Sequence, residues 1–204
     1  HVLLRSAQQP RTASGSFQWH PPDASYNPTQ ISQALSPLRL SHREYGHRVG
    51  IFRVLDALQS HGINATVAMD ALTAKNYPFL VKHCLDLGCD IIAHGISGSR
   101  MITSLMSERE ERNYIQISLE TIKGAIDYWP RGWLGPEYGE STRTPQLLAE
   151  AGVKFICDWT NDEQPYPMNT SLGEIFALPI MSELDDVNAL WERHMAIQNY
   201  SVSI

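Results

Sequence analysis

Four apolar runs in this chain end in residues equipped for acid–base chemistry. His94 follows the run 89–93 (CDIIA). Glu137, Tyr138 and Glu140 follow 132–134. Asp158, Trp159 and Asp162 follow 153–157, and Glu183, Asp185 and Asp186 follow 175–180. An imidazole among carboxylates suits water activation and protonation of a leaving group near neutral pH. His94, Asp158 and Asp162 are therefore the candidate catalytic set. Trp133, Glu137, Tyr138 and Trp159 are the candidate substrate-binding set. Structural roles stand beside these: a histidine after a strand often satisfies its own surroundings, and Asp158 suits a cap. Trp133 and Trp159 suit a core, and 183–186 suits a solvated loop.

Other chemistries are poorly supported. There is no G-x-S-x-G elbow, and Cys84 and Cys89 flank a helix-to-strand turn on the rim opposite the acidic ends. No G-x-G-x-x-G follows a strand and no Walker A motif occurs, which disfavours phosphate cradling. Sixteen Lys plus Arg against 22 Asp plus Glu leave a net charge of −6, unlike a nucleic-acid binder. Cys84, Cys89 and Cys157 form no C-x-x-C and read as buried thiols in a reducing compartment, so a cytoplasmic location is expected. The chain starts at His1, which leaves a removed leader open. No apolar run reaches the ~18–20 residues of a membrane span.

The 204 residues are enough for one domain with a real core. Residues 1–43 are rich in Pro, Ser, Gln and Asn and read as an irregular entry segment, with one short strand near 16–19. Residues 44–204 form the regular domain. Ile51, Phe52, Leu55 and Leu58 fall at helical spacing before Gly62, and 63–69 reads as a strand. A helix over 77–87 stops at Gly88, before the strand 89–93. Ser107 and Glu110 make a capping box for a helix whose apolar side carries Tyr114, Ile117, Ile122, Ala125 and Ile126. A short strand at 132–134, a helix opened by Thr144-Pro145, and strands at 153–158 and 175–180 complete the pattern. Strand–helix–strand alternation with short turns predicts a parallel sheet with helical crossovers, either doubly wound or a partial barrel. Both place ligands at the C-terminal strand ends.

Several ordered segments carry a resemblance. They are Glu44-Tyr45-Gly46-His47-Arg48-Val49-Gly50, His61-Gly62 with Ala65-Thr66, and Ala93-His94-Gly95. Arg131-Gly132-Trp133-Leu134-Gly135-Pro136, Arg143-Thr144-Pro145 with 147–152, and the stretch from Cys157 to Tyr166 continue the series. Together, over about 44–186, they resemble the polysaccharide deacetylase (NodB-homology) superfamily, on the branch with cofactor-independent allantoinases and related deacetylase-like proteins.

The resemblance implies a distorted (β/α) barrel of TIM-barrel type, incomplete at both ends of this chain, acting on non-peptide carbon–nitrogen bonds. Its implied partners are a small-molecule amide, an imide or an N-acetyl sugar, with neither nucleic acid nor membrane. An unclosed parallel barrel exposes strand edges, so a homo-oligomer is also expected. Sugar deacetylases of the family hold a divalent metal with an Asp and two His and use a second Asp as base. Here Gly98 stands where the second metal-binding His would be, no Thr-Phe-Asp-Asp strand is visible in 1–43, and Leu134 occupies the place of an arginine. No metal ligand set and no cofactor are therefore predicted; zinc would require ligands from elsewhere. The alternative is a degenerate or truncated barrel that binds a small ligand without catalysis.

Overall fold

The computed structural model describes residues 2–4, 44–181 and 185–203. Its centre is a seven-stranded sheet. In chain order the strands are β1 (Val2–Leu4), β2 (Thr66–Met69), β3 (Asp90–Ala93), β4 (Gly132–Trp133), β5 (Phe155–Ile156), β6 (Tyr166–Thr170) and β7 (Gly173–Ala177). They lie in the order β1-β2-β3-β4-β5-β7-β6, parallel throughout except for the antiparallel β6–β7 hairpin. The helices are α1 (Ile51–Ser60), α2 (Ala71–Asn76), α3 (Pro78–Asp86), α4 (Glu108–Ile126), α5 (Thr144–Glu150) and α6 (Ile197–Ser203). This is the α/β parallel arrangement that the alternation predicts, open at β1 and β6 among the described residues.

The period-two alternation of the strands sorts their side chains onto two faces. Val67, Met69, Ile91, Ala93, Trp133 and Ile156 face the helices and join Leu55, Leu80, Tyr114, Leu119, Ile122 and Leu148 in the large core. Ala68, Ile92, Leu134 and Cys157 form a second cluster with Phe155, Leu178 and Ile180 against it. Gly132 is required where it stands, because a Cβ there would lie 2.3 Å from the Phe155 ring.

Local signals account for most element ends. Ser107 and Glu110 form the capping box of α4, which closes on Asp127 in a left-handed conformation (φ 64°). The buried face of α4 runs through Glu111, Tyr114, Ile115, Ser118, Leu119, Ile122 and Ile126, so Ile117, expected inside, is 41% exposed. Three elements differ from the sequence reading. Asp70 caps α2, a short helix between β2 and α3. Residues 166–170 form β6, a strand that the sequence pattern does not mark. The segment 1–43, expected to be irregular, contributes β1, which pairs in register with β2; the strand expected near 16–19 lies outside the described residues.

Candidate active site

The C-terminal ends of β3, β4 and β5 meet through the backbone of β4's exit. The ladder continues past the strands, with Leu134 N–H donating to Ala93 O at 2.9 Å and Cys157 N–H to Trp133 O at 2.8 Å. His94 is 1% exposed, and its Nδ1 lies 2.6 Å from Leu134 O. A carbonyl oxygen accepts, so Nδ1 carries the hydrogen and, in the neutral ring, Nε2 carries the lone pair. The next amide, Gly135 N–H, donates to both Asp158 oxygens, at 2.8 and 2.9 Å. Leu134 C=O and Gly135 N–H belong to one planar peptide group. Summing the two hydrogen bonds and the two peptide bonds between them holds imidazole and carboxylate at most about 8 Å apart.

Asp158 faces a second carboxyl, Glu140, with which it shares a hydrogen bond when one of the two is protonated. Trp159 Nε1–H donates to Glu140 Oε2. Burial, followed by the hydrogen bond and the charge of Asp158, pushes the Glu140 carboxyl up to about 10. Burial also pushes Asp158 up to about 6, against the lowering effect of its hydrogen bonds to Glu140 and Gly135. Two carboxyls in one poorly hydrated site cannot both ionise cheaply. Across neutral pH the two carboxyls hold one proton between them, with Glu140 pushed up further than Asp158.

The surrounding loops are tied down. Glu111 is fully buried on α4 and accepts from Ser141 Oγ (3.0 and 2.8 Å), Thr144 Oγ1 (2.5 Å) and Arg143 Nη2 (3.2 Å). That anchors the segment immediately after Glu140. The loop after His94 is clamped twice: Gly95 O and Ile96 O accept from Ala71 and Leu72 at the start of α2, both at 3.0 Å. Tyr114 Oη accepts from Ile96 N–H at 3.1 Å and donates to Arg100 O. Gly135 is packed so that a Cβ would lie 2.8 Å from Gly139 O and 3.1 Å from Asp158 Oδ2. Between these two glycines, Glu137 and Tyr138 both adopt positive φ (54° and 53°), a strained turn of the kind that concentrates at functional sites.

The expected site residues separate clearly. His94 and Asp158 come together. Trp159 joins them through Glu140 rather than as a free pocket wall. Trp133 does not line this site: it is 0% exposed on the helix-facing side of β4, edge-on to Tyr114. Its parity along the strand is opposite to that of Leu134, which explains the difference. Asp162 is exposed and its Oδ1 accepts from Gln164 N–H at 3.2 Å, so the acidic partner of Asp158 is Glu140. Glu137 and Tyr138 are exposed on the strained turn. Asp185 caps the following turn through Val187 N–H at 2.7 Å, while Glu183 lies outside the described residues. Glu140 is a site residue outside the expected set, although its place seven residues after β4, in a Gly-bounded loop, is visible in the sequence. Asp70, fully buried at the exit of β2, was missed too; it caps α2 through Thr73 N–H at 2.8 Å.

The sequence profile described as polysaccharide deacetylase matches residues 44–156. The chain belongs to that family. Among curated proteins it is 28% identical over 132 residues to a peptidoglycan deacetylase of Helicobacter pylori, covering 64% of this chain and 44% of that protein. The deacetylase-family chain thus spans less than half the length of that relative. Among solved structures it is similar to a polysaccharide deacetylase designation from Mycobacterium smegmatis, with a TM-score of 0.70 and 24% identity over 79% of this chain and 55% of the other. It is also similar to Puue allantoinase, with a TM-score of 0.68 and 24% identity over 75% of this chain and 50% of that one. These likenesses establish the NodB-homology fold.

A divalent metal is the cofactor this family implies. The donor set of the described residues does not fit one. His94 supplies an imidazole and Asp158 a carboxylate, but Gly98 supplies nothing at the second histidine's place. Among the described residues no three His, Cys, Asp or Glu side chains are grouped to hold a metal ion. No helix among the described residues is long and apolar enough to cross a membrane.

Proposed function

We propose that this chain carries the acid–base centre of a hydrolase of non-peptide carbon–nitrogen bonds, with an N-acetyl amino-sugar unit as its preferred substrate class. The observation that carries the reading is geometric: one peptide group ties His94 and Asp158 together at the strand ends, and Glu140 lies beside Asp158, each carboxyl pushed up by burial. With its carboxyl at about 6, Asp158 is largely ionised at pH 7 and is matched to accepting a proton from water. Glu140 keeps its proton and compensates the charge of Asp158 as it changes. The proton that Asp158 takes from water passes to His94 Nε2 and from there to the leaving nitrogen, while Leu134 O holds the ring by its Nδ1–H. The peptidoglycan deacetylase of Helicobacter pylori supports the choice of an N-acetyl substrate, and the allantoinase fold relationship makes a cyclic amide the second substrate to assay.

The test is acetate release from N-acetylglucosamine oligomers, with allantoin opening in parallel, each with and without added zinc. The expected result is acetate release that falls by about 10²–10⁴-fold in Asp158→Asn, the range for removing a general base. Absence of turnover on every N-acyl and ureide substrate, in either metal condition, would overturn it. One observation favours a non-catalytic ligand-binding barrel instead: the described residues group no three metal donors. Saturable binding of the same oligomers without turnover is the result that reading predicts.

A further inference from the structure

Two buried cysteines flank the turn from α3 into β3 at the opposite rim. α3 ends at Asp86, Leu87 caps it, and Gly88 follows with φ 72°. Gly88 N–H donates to Leu85 O at 3.0 Å, and Cys89 N–H donates to Cys84 O at 3.0 Å. These are the two bonds of a Schellman motif, which brings the side chain three residues inside the helix end against the one two residues past the cap. Those two positions are Cys84 and Cys89. Both belong to the same buried cluster, 0% and 7% exposed, and the two thiols interact electrostatically. The Cys89 N–H···O=C Cys84 bond keeps their Cα atoms at most about 7 Å apart, the upper edge of the span a disulfide bridges.

We propose that Cys84 and Cys89 are a disulfide-forming pair, a redox staple that fastens α3 to β3. The oxidant class is a small-molecule disulfide such as glutathione disulfide. Cys89, the more exposed thiol, loses its proton and attacks one glutathione sulfur, releasing one glutathione thiolate and leaving a mixed disulfide on Cys89. Cys84 loses its proton, attacks the Cys89 sulfur and releases the second glutathione thiolate. The two released thiolates take up the two protons, so two protein thiols are oxidised and one glutathione disulfide is reduced. The order of attack has a physical basis. Burial raises both thiols, Cys84 up to about 12, and a backbone hydrogen bond lowers each, so the greater exposure of Cys89, 7% against 0%, makes it the first to attack. Cys157, 6% exposed in the second cluster with Ala68, Ile92 and Leu134, lies outside the pair. The staple forms at the N-terminal end of β3, away from His94, so it acts on stability and is independent of the proposed hydrolysis.

The experiment brings the full chain to equilibrium in a series of glutathione redox buffers, quenches in acid, counts alkylatable thiols and maps them by mass. The expected oxidised form is two hydrogens lighter, has one alkylatable thiol, at Cys157, and melts about 4–8 °C higher than the reduced form, the gain for closing so short a loop in a chain of this size. Cys157→Ser should form the same bond. Cys84→Ser should end with a glutathione adduct on Cys89 and no rise in Tm. Three alkylatable thiols in the most oxidising buffer, a bridge that includes Cys157, or a lasting Cys89 adduct beside a free Cys84 would each overturn the proposal.

Discussion

His94 and Asp158 are hydrogen-bonded to opposite ends of one peptide group, the imidazole to Leu134 O and the carboxylate to Gly135 N–H. A planar peptide moves as a unit, so a shift of β4's exit carries both groups together. The pair is therefore aligned by backbone, and its geometry does not depend on two independently mobile side chains.

The pH profile of hydrolysis follows from the carboxyl pair. Below about 6 Asp158 becomes protonated and can no longer accept a proton; above about 10 Glu140 loses the proton that offsets its charge. A bell with an acid limb near 6 is expected for kcat/KM. In Glu140→Gln the acid limb should persist while the alkaline limb near 10 disappears. Initial rates of acetate release from pH 4.5 to 10.5 check this, and an alkaline limb unchanged in the variant contradicts it.

The same pair makes the fold sensitive to alkali. Glu140 is raised from 4.5 to about 10 in the folded chain, so the native state binds more protons than the unfolded one between those values. Its contribution is fully present below about 4.5 and is lost as pH rises through about 10. Asp158 adds a smaller loss of the same sign between 3.8 and about 6. Glu140→Gln should match the parent near pH 4 and exceed it by several degrees of Tm at pH 9, at about 2–4 °C per kcal/mol. Thermal melts across pH read the difference; a constant gap would contradict the assignment.

Gly135→Ala should damage the site without touching a reactive group. The new Cβ would meet Gly139 O at 2.8 Å and Asp158 Oδ2 at 3.1 Å, and overpacking of this kind costs about 1–3 kcal/mol. Urea unfolding should show that loss. Hydrolysis should fall toward the level of Asp158→Asn, because the carboxylate is pushed from its amide.

Glu111→Ala should be more destabilising than most substitutions on α4. It strands the Ser141 and Thr144 hydroxyls and the Arg143 guanidinium, all of which donate to the fully buried carboxylate. Breaking a buried charged network from one side costs about 3–5 kcal/mol. Exposed Glu108→Ala on the same helix, paired with Arg112 at 3.0 Å, should cost under about 1 kcal/mol. Denaturant midpoints for the two variants separate the cases.

Much of the architecture was legible because local rules agree with the tertiary ones. The capping box at Ser107, the left-handed Gly88 and the apolar run ending in His94 each specify their element with short-range chemistry. Trp133 was misplaced because a two-residue strand has too little alternation to reveal its buried face; Leu134, one position on, takes the other side. Asp162 lies only four residues from Asp158 in sequence, yet Glu140, eighteen residues away, is its acidic neighbour. Loop packing decides such pairings, here through Trp159 and the Glu111 anchor beneath Ser141. β6 is hard to read from sequence because its residues, Tyr-Pro-Met-Asn-Thr, include a proline and two of the five face solvent on an edge strand, where pattern and propensity are weakest.

The most direct measurement is a carbon NMR titration of the labelled side-chain carboxyls of Glu140 and Asp158, assigned with Glu140→Gln and Asp158→Asn. One carboxyl should titrate near 6 and the other should hold its proton until about pH 10. Two carboxyls that both ionise below pH 5 would contradict it.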